Sequence, residues 1–354
     1  MSGVIPSAVV AWARSSATVA VEAIPGPVER RVREDSIFFL ASVTKPIVAV
    51  SVLQLVERGL VDLYAPIQRY VPEFRGANKE AVTAWHVLTH TSGIEDIDPD
   101  VIRRERPSAT AMLAKVCATP LRFEPGTRYE YCSDSFYLLS EMVRRLSGLP
   151  YPQALRRSIL EPLGMRDTTF DPRHARSRIV GVHGIPIGNR IMRELILRYL
   201  AKAALPGGGL WGTAHDLLRF GRSLLPSVTG VPRVLRPETV ETMTREHTGG
   251  IVELCADDTT RDPHYALGWG KPLPSGEVPA AVAPPPTETP LGERVTVPAS
   301  PRAFTHGGAS GARLWVDPER DLVFVFLTNL WGVDDGPMYA TLREVYRSLD
   351  EAAA

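Results

Sequence analysis

The sequence predicts an α+β fold, an α/β sandwich plus an all-α domain, in which one antiparallel sheet is built from both ends of the chain. Three observations carry this. β-rich runs stand near the start, at residues 8–13 and 18–23, joined by a short polar stretch that suggests a hairpin. Further β-rich runs return in the last third, at 265–269, 303–307, 312–316 and 322–327. Between them, from Leu63 to about Leu225, the text is helical and broken by Pro and Gly. The simplest closure pairs the two ends in one sheet, covers it with helices near the ends, and inserts a helical domain. The expected division is residues 1–65 and 226–354 for the sheet domain and 66–225 for the helical domain, with the active site between them.

Within that frame each element has its own signal. Residues 46–60 form an apolar run ended by Gly59, read as a mostly buried helix with Pro46 in its first turn, where a missing N–H matters little. Residues 80–88 and 108–118 read as helices. Residues 136–148 are clearer, with Leu138, Leu139, Met142, Val143 and Leu146 on one face and Gly148 closing it. Residues 151–160 continue the style. Residues 191–204 are apolar with charges interspersed, and fit either core packing or a pocket wall or lid. Thr213 caps a helix running to Leu225, residues 232–243 are helical, and 338–349 form a closing helix. Residues 272–302 are rich in Pro and read as a long surface loop.

Composition narrows the function classes. The chain has 354 residues, 44% of them hydrophobic, which suffices for a large core, and its formal net charge is zero. Such a balance argues against nucleic-acid or membrane-surface partners. Cys117, Cys132 and Cys255 are odd in number and lack metal spacing, which fits a reducing compartment. The first residues show no basic region followed by a long apolar core, so no signal peptide is expected. No run approaches the ~20 apolar residues of a membrane helix. These readings lead to a cytoplasmic protein that needs no cofactor and no metal.

The chemistry centres on Ser42-Val43-Thr44-Lys45, an S-x-x-K sequence at the start of the first helix. Helical spacing brings the Ser42 hydroxyl and the Lys45 amine to one small volume. A serine needs a neighbour to take its proton, and a buried lysine can serve. Lysine is scarce here: only five of the 40 basic residues are lysines, which makes one among apolar residues less ordinary. Tyr129-Glu130-Tyr131-Cys132-Ser133 follows a turn and can present a tyrosine hydroxyl as a base. His306-Gly307-Gly308-Ala309 lies between two β-rich runs, where a following N–H can complete an oxyanion hole with that of Ser42. His90, in Leu88-Thr89-His90-Thr91-Ser92-Gly93, reads as a structural, hydrogen-bonded histidine.

In this order, these stretches resemble the penicillin-recognising serine enzymes, in the branch of class C β-lactamases and family VIII carboxylesterases. The resemblance also takes in Pro125-Gly126, Pro162-Leu163-Gly164-Met165, Gly208 to Asp216, Tyr265 to Trp269 and Leu314 to Pro318. It implies a β-lactamase/transpeptidase-like fold. It implies Ser42 as acylated nucleophile, Lys45 and Tyr131 sharing the acid and base work, and the Ser42 and Ala309 N–H groups as oxyanion hole. Ser133, His306, Gly307, Gly308 and Trp211 are the expected substrate-binding residues. The sequence departs from the family at Ser133, where Asn is usual, and this weakens amide recognition more than catalysis. The first hairpin also begins almost at Met1, so the usual opening helix is expected to be shortened or absent.

The resulting expectation is a serine hydrolase that acts through an acyl-enzyme on a small carboxylic ester. Acyl transfer in a biosynthetic pathway with the same residues is the alternative. β-Lactamase or D,D-peptidase activity, and a non-catalytic binding protein of this fold, are the remaining readings. The expected partner is a small-molecule ester or acyl donor.

Overall fold

A computed structural model describes residues 5–27, 31–184, 190–254, 259–272, 296–333 and 335–353. Its strands are β1 (Ser7–Ala13), β2 (Thr18–Pro25), β3 (Phe38–Phe39), β4 (Arg128–Tyr129), β5 (Trp211–Gly212), β6 (Val252–Leu254), β7 (Thr260–Arg261), β8 (Phe304–Gly307), β9 (Arg313–Asp317) and β10 (Leu322–Thr328). The helices are α1 (Thr44–Glu57), α2 (Ala84–Leu88), α3 (Pro99–Glu105), α4 (Ala109–Ala118), α5 (Phe136–Ser147) and α6 (Tyr151–Leu155). They continue with α7 (Glu161–Leu163), α8 (Arg190–Ala203), α9 (Ala214–Ser223), α10 (Pro237–Thr244) and α11 (Gly336–Ala353).

The main sheet has the order β2-β1-β10-β9-β8, and every neighbouring pair is antiparallel. The chain ends therefore meet at its centre, with Ala11 opposite Val325. β1, β9 and β10 are buried almost throughout because both faces of the sheet are covered. Val9, Ala11, Val323, Val325 and Leu327 join the large core, and α9 packs on that side against β1 and β10. Ala8, Val10, Trp315, Phe324 and Phe326 meet Met338, Leu342, Tyr346 and Leu349 of α11 on the other. α5 lies at the middle of the helical layer, against α1, α2, α4 and α6.

A two-stranded ribbon, β3 with β5, positions the site. It pairs Phe39 with Trp211, and their rings lie 5.0 Å apart. The segment entering Ser42 is thereby tied to the segment leaving the Gly207–Gly209 turn.

Several elements differ from the sequence reading. Residues 265–269 are not a strand: Ala266 N–H bonds Trp269 O at 2.7 Å, closing a turn, and only isolated bridges link Tyr265 and Gly270 to their surroundings. The stretch 80–88 is broken at extended Val82, and Thr83 caps α2 through a reciprocal bond with His86. The stretch 151–160 divides into α6 and a wider turn at Arg156–Leu160. The helix read at 232–243 begins only at Pro237. Of the Pro-rich stretch, residues 273–295 lie outside the described residues, as does Cys255. Among the described residues no helix is long and apolar enough to cross a membrane.

α11 is fastened to the sheet by a buried polar chain. Trp315 Nε1 donates to Tyr346 Oη at 2.9 Å, and Tyr346 Oη donates to Asp317 Oδ2 at 2.6 Å. Tyr346→Phe leaves the indole N–H unpaired in the core. The expected loss is about 1–3 kcal/mol in urea unfolding. A loss below ~0.5 kcal/mol means that this chain does not hold the helix.

Candidate active site

Ser42 lies in a single tight turn, Ala41–Val43, that runs directly into α1. Ala41 holds φ +45°, a conformation that L-residues seldom adopt, so the chain bends sharply just before the serine. Thr44 fixes the bend: its hydroxyl donates to Ala41 O at 2.7 Å and accepts from Leu210 N–H at 3.1 Å. Ser42 is half-buried, whereas Lys45 is fully buried in the first turn of α1. Lys45 Nζ lies 3.1 Å from Ser42 Oγ, 3.0 Å from Ser133 Oγ and 2.7 Å from Gly207 O. The amine is thus the point where three distant segments meet.

The segment from Tyr131 to Ser133 is irregular, and its backbone is satisfied by side chains. Cys132 N–H donates to His90 Nδ1 at 3.2 Å. Asp96 Oδ1 accepts the Ser133 and Asp134 N–H groups, each at 2.7 Å. His90 has φ +58° and is buried among Tyr129, Tyr131, Phe136 and Tyr265. Burial first, then the charges of Lys45 and His306, hold its pKa well below the ordinary histidine value. Neutral His90 therefore accepts at Nδ1, and its place is structural support for the Tyr131–Ser133 segment. The Tyr131 ring lies over the Lys45 amine, 4.5 Å to its centroid. At Gly207 a Cβ would come 2.3 Å from Ser133 O, so only glycine lets this turn bring its carbonyl to Lys45.

The third segment enters from β8. A Cβ at Gly308 would meet Leu40 O at 2.3 Å, so this glycine packs directly on the backbone before Ser42 and leaves Ala309 at the cavity wall. Neither Ser42 N–H nor Ala309 N–H donates to another described group. His306 is buried. Its Nδ1 lies 2.8 Å from Gly307 O, a pure acceptor, so Nδ1 carries the proton and Nε2 accepts from Tyr265 Oη at 2.9 Å. Burial, with the Lys45 charge second, pushes the His306 pKa down to about 3.

These segments border a cavity of about 950 Å³. Ser42, Tyr131, Ser133, Trp211 and Ala309 line it, as do Phe39, Ile196, Leu197 and Leu200. The apolar stretch 191–204, as α8, therefore forms a wall. Lys45, His306, Gly307 and Gly308 are not among the lining residues: Lys45 lies beneath Ser42, and His306 lies behind Tyr131, with ring centroids 6.5 Å apart. The sequence reading missed Asp96 and the Gly207 carbonyl, which act only across long separations. It also missed Asp134, which stands beside Ser133 and lines the cavity. Glu246, Asp262 and His264 approach one another within 4.8 Å, but none of them lines the cavity, and His264 Nδ1 lies 3.3 Å from Glu246 Oε1.

Comparison with known proteins agrees with this architecture. The family model described as Beta-lactamase matches residues 2–347. The protein named Esterase EstB, from Burkholderia gladioli, is 30% identical over 352 residues, spanning 89% of this chain and 83% of that protein. The solved structure of EstA from Arthrobacter nitroguajacolicus Rue61a matches with a TM-score of 0.75 at 20% identity, covering 98% of this chain and 92% of that one. EstCE1, described as a hydrolase with promiscuous acyltransferase activity, matches with a TM-score of 0.72 at 19% identity, covering 96% and 93%. The two structural likenesses speak for the fold alone. With nearly its whole length matched by the family model, and a relative of this identity aligned over most of both chains, the chain belongs to the beta-lactamase family.

Proposed function

We propose that this serine hydrolase of the beta-lactamase family cleaves small carboxylic esters through an acyl-enzyme on Ser42. The observation that carries the reading is the Lys45 amine, buried beneath Ser42 Oγ at 3.1 Å while that serine opens onto an apolar cavity. Nζ donates to Gly207 O at 2.7 Å and lies 3.0 Å from Ser133 Oγ and 3.1 Å from Ser42 Oγ, within reach of the proton that Ser42 must lose. Ser42 Oγ attacks the ester carbonyl as its proton passes to the Lys45–Tyr131 pair. The oxyanion is held by the Ser42 and Ala309 N–H groups. The tetrahedral species collapses, the proton is returned to the departing alcohol, and water then repeats the sequence on the acyl-enzyme. The name of the Burkholderia relative, an esterase, supports this choice of substrate.

His306 takes no proton in this scheme. Its ring is neutral and already committed to Gly307 O and Tyr265 Oη. It shapes the floor behind Tyr131 and adds no positive charge beside Lys45. Ser133 Oγ is held by Lys45 Nζ, and its short side chain offers no amide to a substrate carbonyl. This favours esters over β-lactams and peptides. Acyl transfer is the second reading, favoured by the apolar α8 wall, which limits water.

Incubation with a fluorophosphonate is expected to add one adduct, mapping to the peptide that carries Ser42 and absent in Ser42→Ala. In the parent, activated esters of short acids turn over faster than penicillins. Labelling that persists in Ser42→Ala, or a penicillin turned over as well as the best ester, refutes the reading.

Lys45→Ala and Tyr131→Phe are each expected to lower kcat/KM by about 10²–10⁴. The double variant should fall far short of the product of the two losses, because the residues act as a unit. A Tyr131→Phe enzyme within about twofold of the parent removes Tyr131 from the base.

Hydrolysis and transfer differ only in the fate of the acyl group. With one activated ester held fixed and small alcohols and amines titrated at millimolar levels, free acid is the expected main product. Capture of most of the acyl group by one acceptor, with a rise in total turnover, makes the chain a transferase.

A further inference from the structure

We propose that Asp134 makes this cavity a receptor for a cationic group, so that the preferred substrates are esters carrying a quaternary ammonium or protonated amine. The inference rests on the esterase reading and names its substrate class. Asp134 lines the cavity beside Ser133, and one of its oxygens, Oδ2, accepts the Ile97 N–H at 2.9 Å. None of the ion pairs among the described residues includes Asp134. Among the described residues no lysine or arginine lines the cavity, and Asp134 is the one carboxylate there, beside His183 and a wall otherwise largely apolar, with Ile102, Tyr137, Leu197 and Leu200. The titratable groups that act on it are Asp96 from the preceding loop and Lys45 from α1, with Tyr137 of α5 and Tyr199 of α8 on the helical side. Burial, with the Asp96 charge second, raises the carboxyl to about 6, and above that value it carries its negative charge into the cavity wall.

A carboxylate that lines an apolar cavity with no side chain ion-paired to it is incompletely compensated by the protein itself. A bound ammonium supplies the missing charge. Its alkyl groups meet the α8 wall and the aromatic rings, an environment that suits a weakly hydrated quaternary cation. The same field opposes anionic substrates. That adds a reason for poor use of β-lactams that carry a carboxylate, independent of Ser133.

The test uses matched esters at about pH 8, above the carboxyl's raised value. On the alcohol side, butyrylcholine is compared with its neutral isostere, in which carbon replaces the quaternary nitrogen. On the acyl side, an equivalent pair of p-nitrophenyl esters is compared. In the parent, the cationic ester of at least one pair should have about a tenfold or greater advantage in kcat/KM. In D134N, which keeps an oxygen for Ile97 N–H, that ratio should fall to within about threefold. Ratios near one in both pairs of the parent, or equal in parent and D134N, overturn the proposal. Should D134N not fold, the parent's two ratios decide alone. Calorimetric titration with butyltrimethylammonium separates the two levels of the reading. Binding by the parent that weakens about tenfold or more in D134N, without turnover of any ester, refutes the esterase function and retains the cation site. Hydrolysis of neutral esters without cation binding or preference overturns the site and leaves the esterase.

Discussion

The hydrogen bonding of one buried amine governs the arrangement of this site. Lys45 Nζ joins Ser42 Oγ, Ser133 Oγ and Gly207 O, which lie in three segments that are remote in sequence. A lysine side chain taken out of water needs each of its polar contacts satisfied. The segments must therefore converge closely, and their backbones show it. Ala41 and His90 hold positive φ, and Gly207 and Gly308 allow main chain to pack on main chain where a methyl group would not fit. The strain is offset by the packing around it. α1 is buried along most of its length, and the β3–β5 ribbon binds the serine turn to the Gly207–Gly209 turn.

The surroundings of Lys45 divide into a polar side and an apolar side. Behind Tyr131, neutral histidines and buried tyrosines fill the space: His90 supports the Tyr131–Ser133 backbone, and His306 is fixed by Tyr265 and Gly307. Burial and the nearby lysine charge keep both rings unprotonated. In front of Ser42, the cavity is walled by Phe39, Trp211 and the inner face of α8. The first side holds proton donors and acceptors in fixed geometry, and the second is a largely apolar wall. Asp134 introduces a charge into that apolar side. It lies next to Ser133, so this charge and the Lys45 partner share one short loop, held by Asp96 through two backbone N–H groups.

The sheet acts at a distance. Both of its faces are covered, by α9 on one side and α11 on the other, so β8 is held at a fixed depth against the backbone before Ser42. The buried Trp315–Tyr346–Asp317 chain locks α11 in place. The backbone before Ser42 thus packs directly on the sheet's edge at the Leu40–Gly308 contact, within one continuous core.

By itself the sequence determined the class of fold, the S-x-x-K spacing and the order of the motifs that identify the family. These are local properties: an apolar run, a helical interval of three, and glycines between β-rich runs. The meeting of Ser42 and Lys45 was legible for that reason, even though the serine sits in a tight turn just outside α1. Tertiary structure decided what depends on long separations. Residues 265–269 have strand composition, yet they turn, because Tyr265 is drawn inward to His306. His306 reads as a pocket residue by motif, but burial places it behind Tyr131. Asp96 and Gly207 act across 37 and 162 residues of chain, and no local pattern marks them. Asp134 has ordinary loop composition. Only the folding of α8 across the cavity turns it from a solvated carboxylate into a wall of the site, because the removal of water from one side is a property of the assembled pocket.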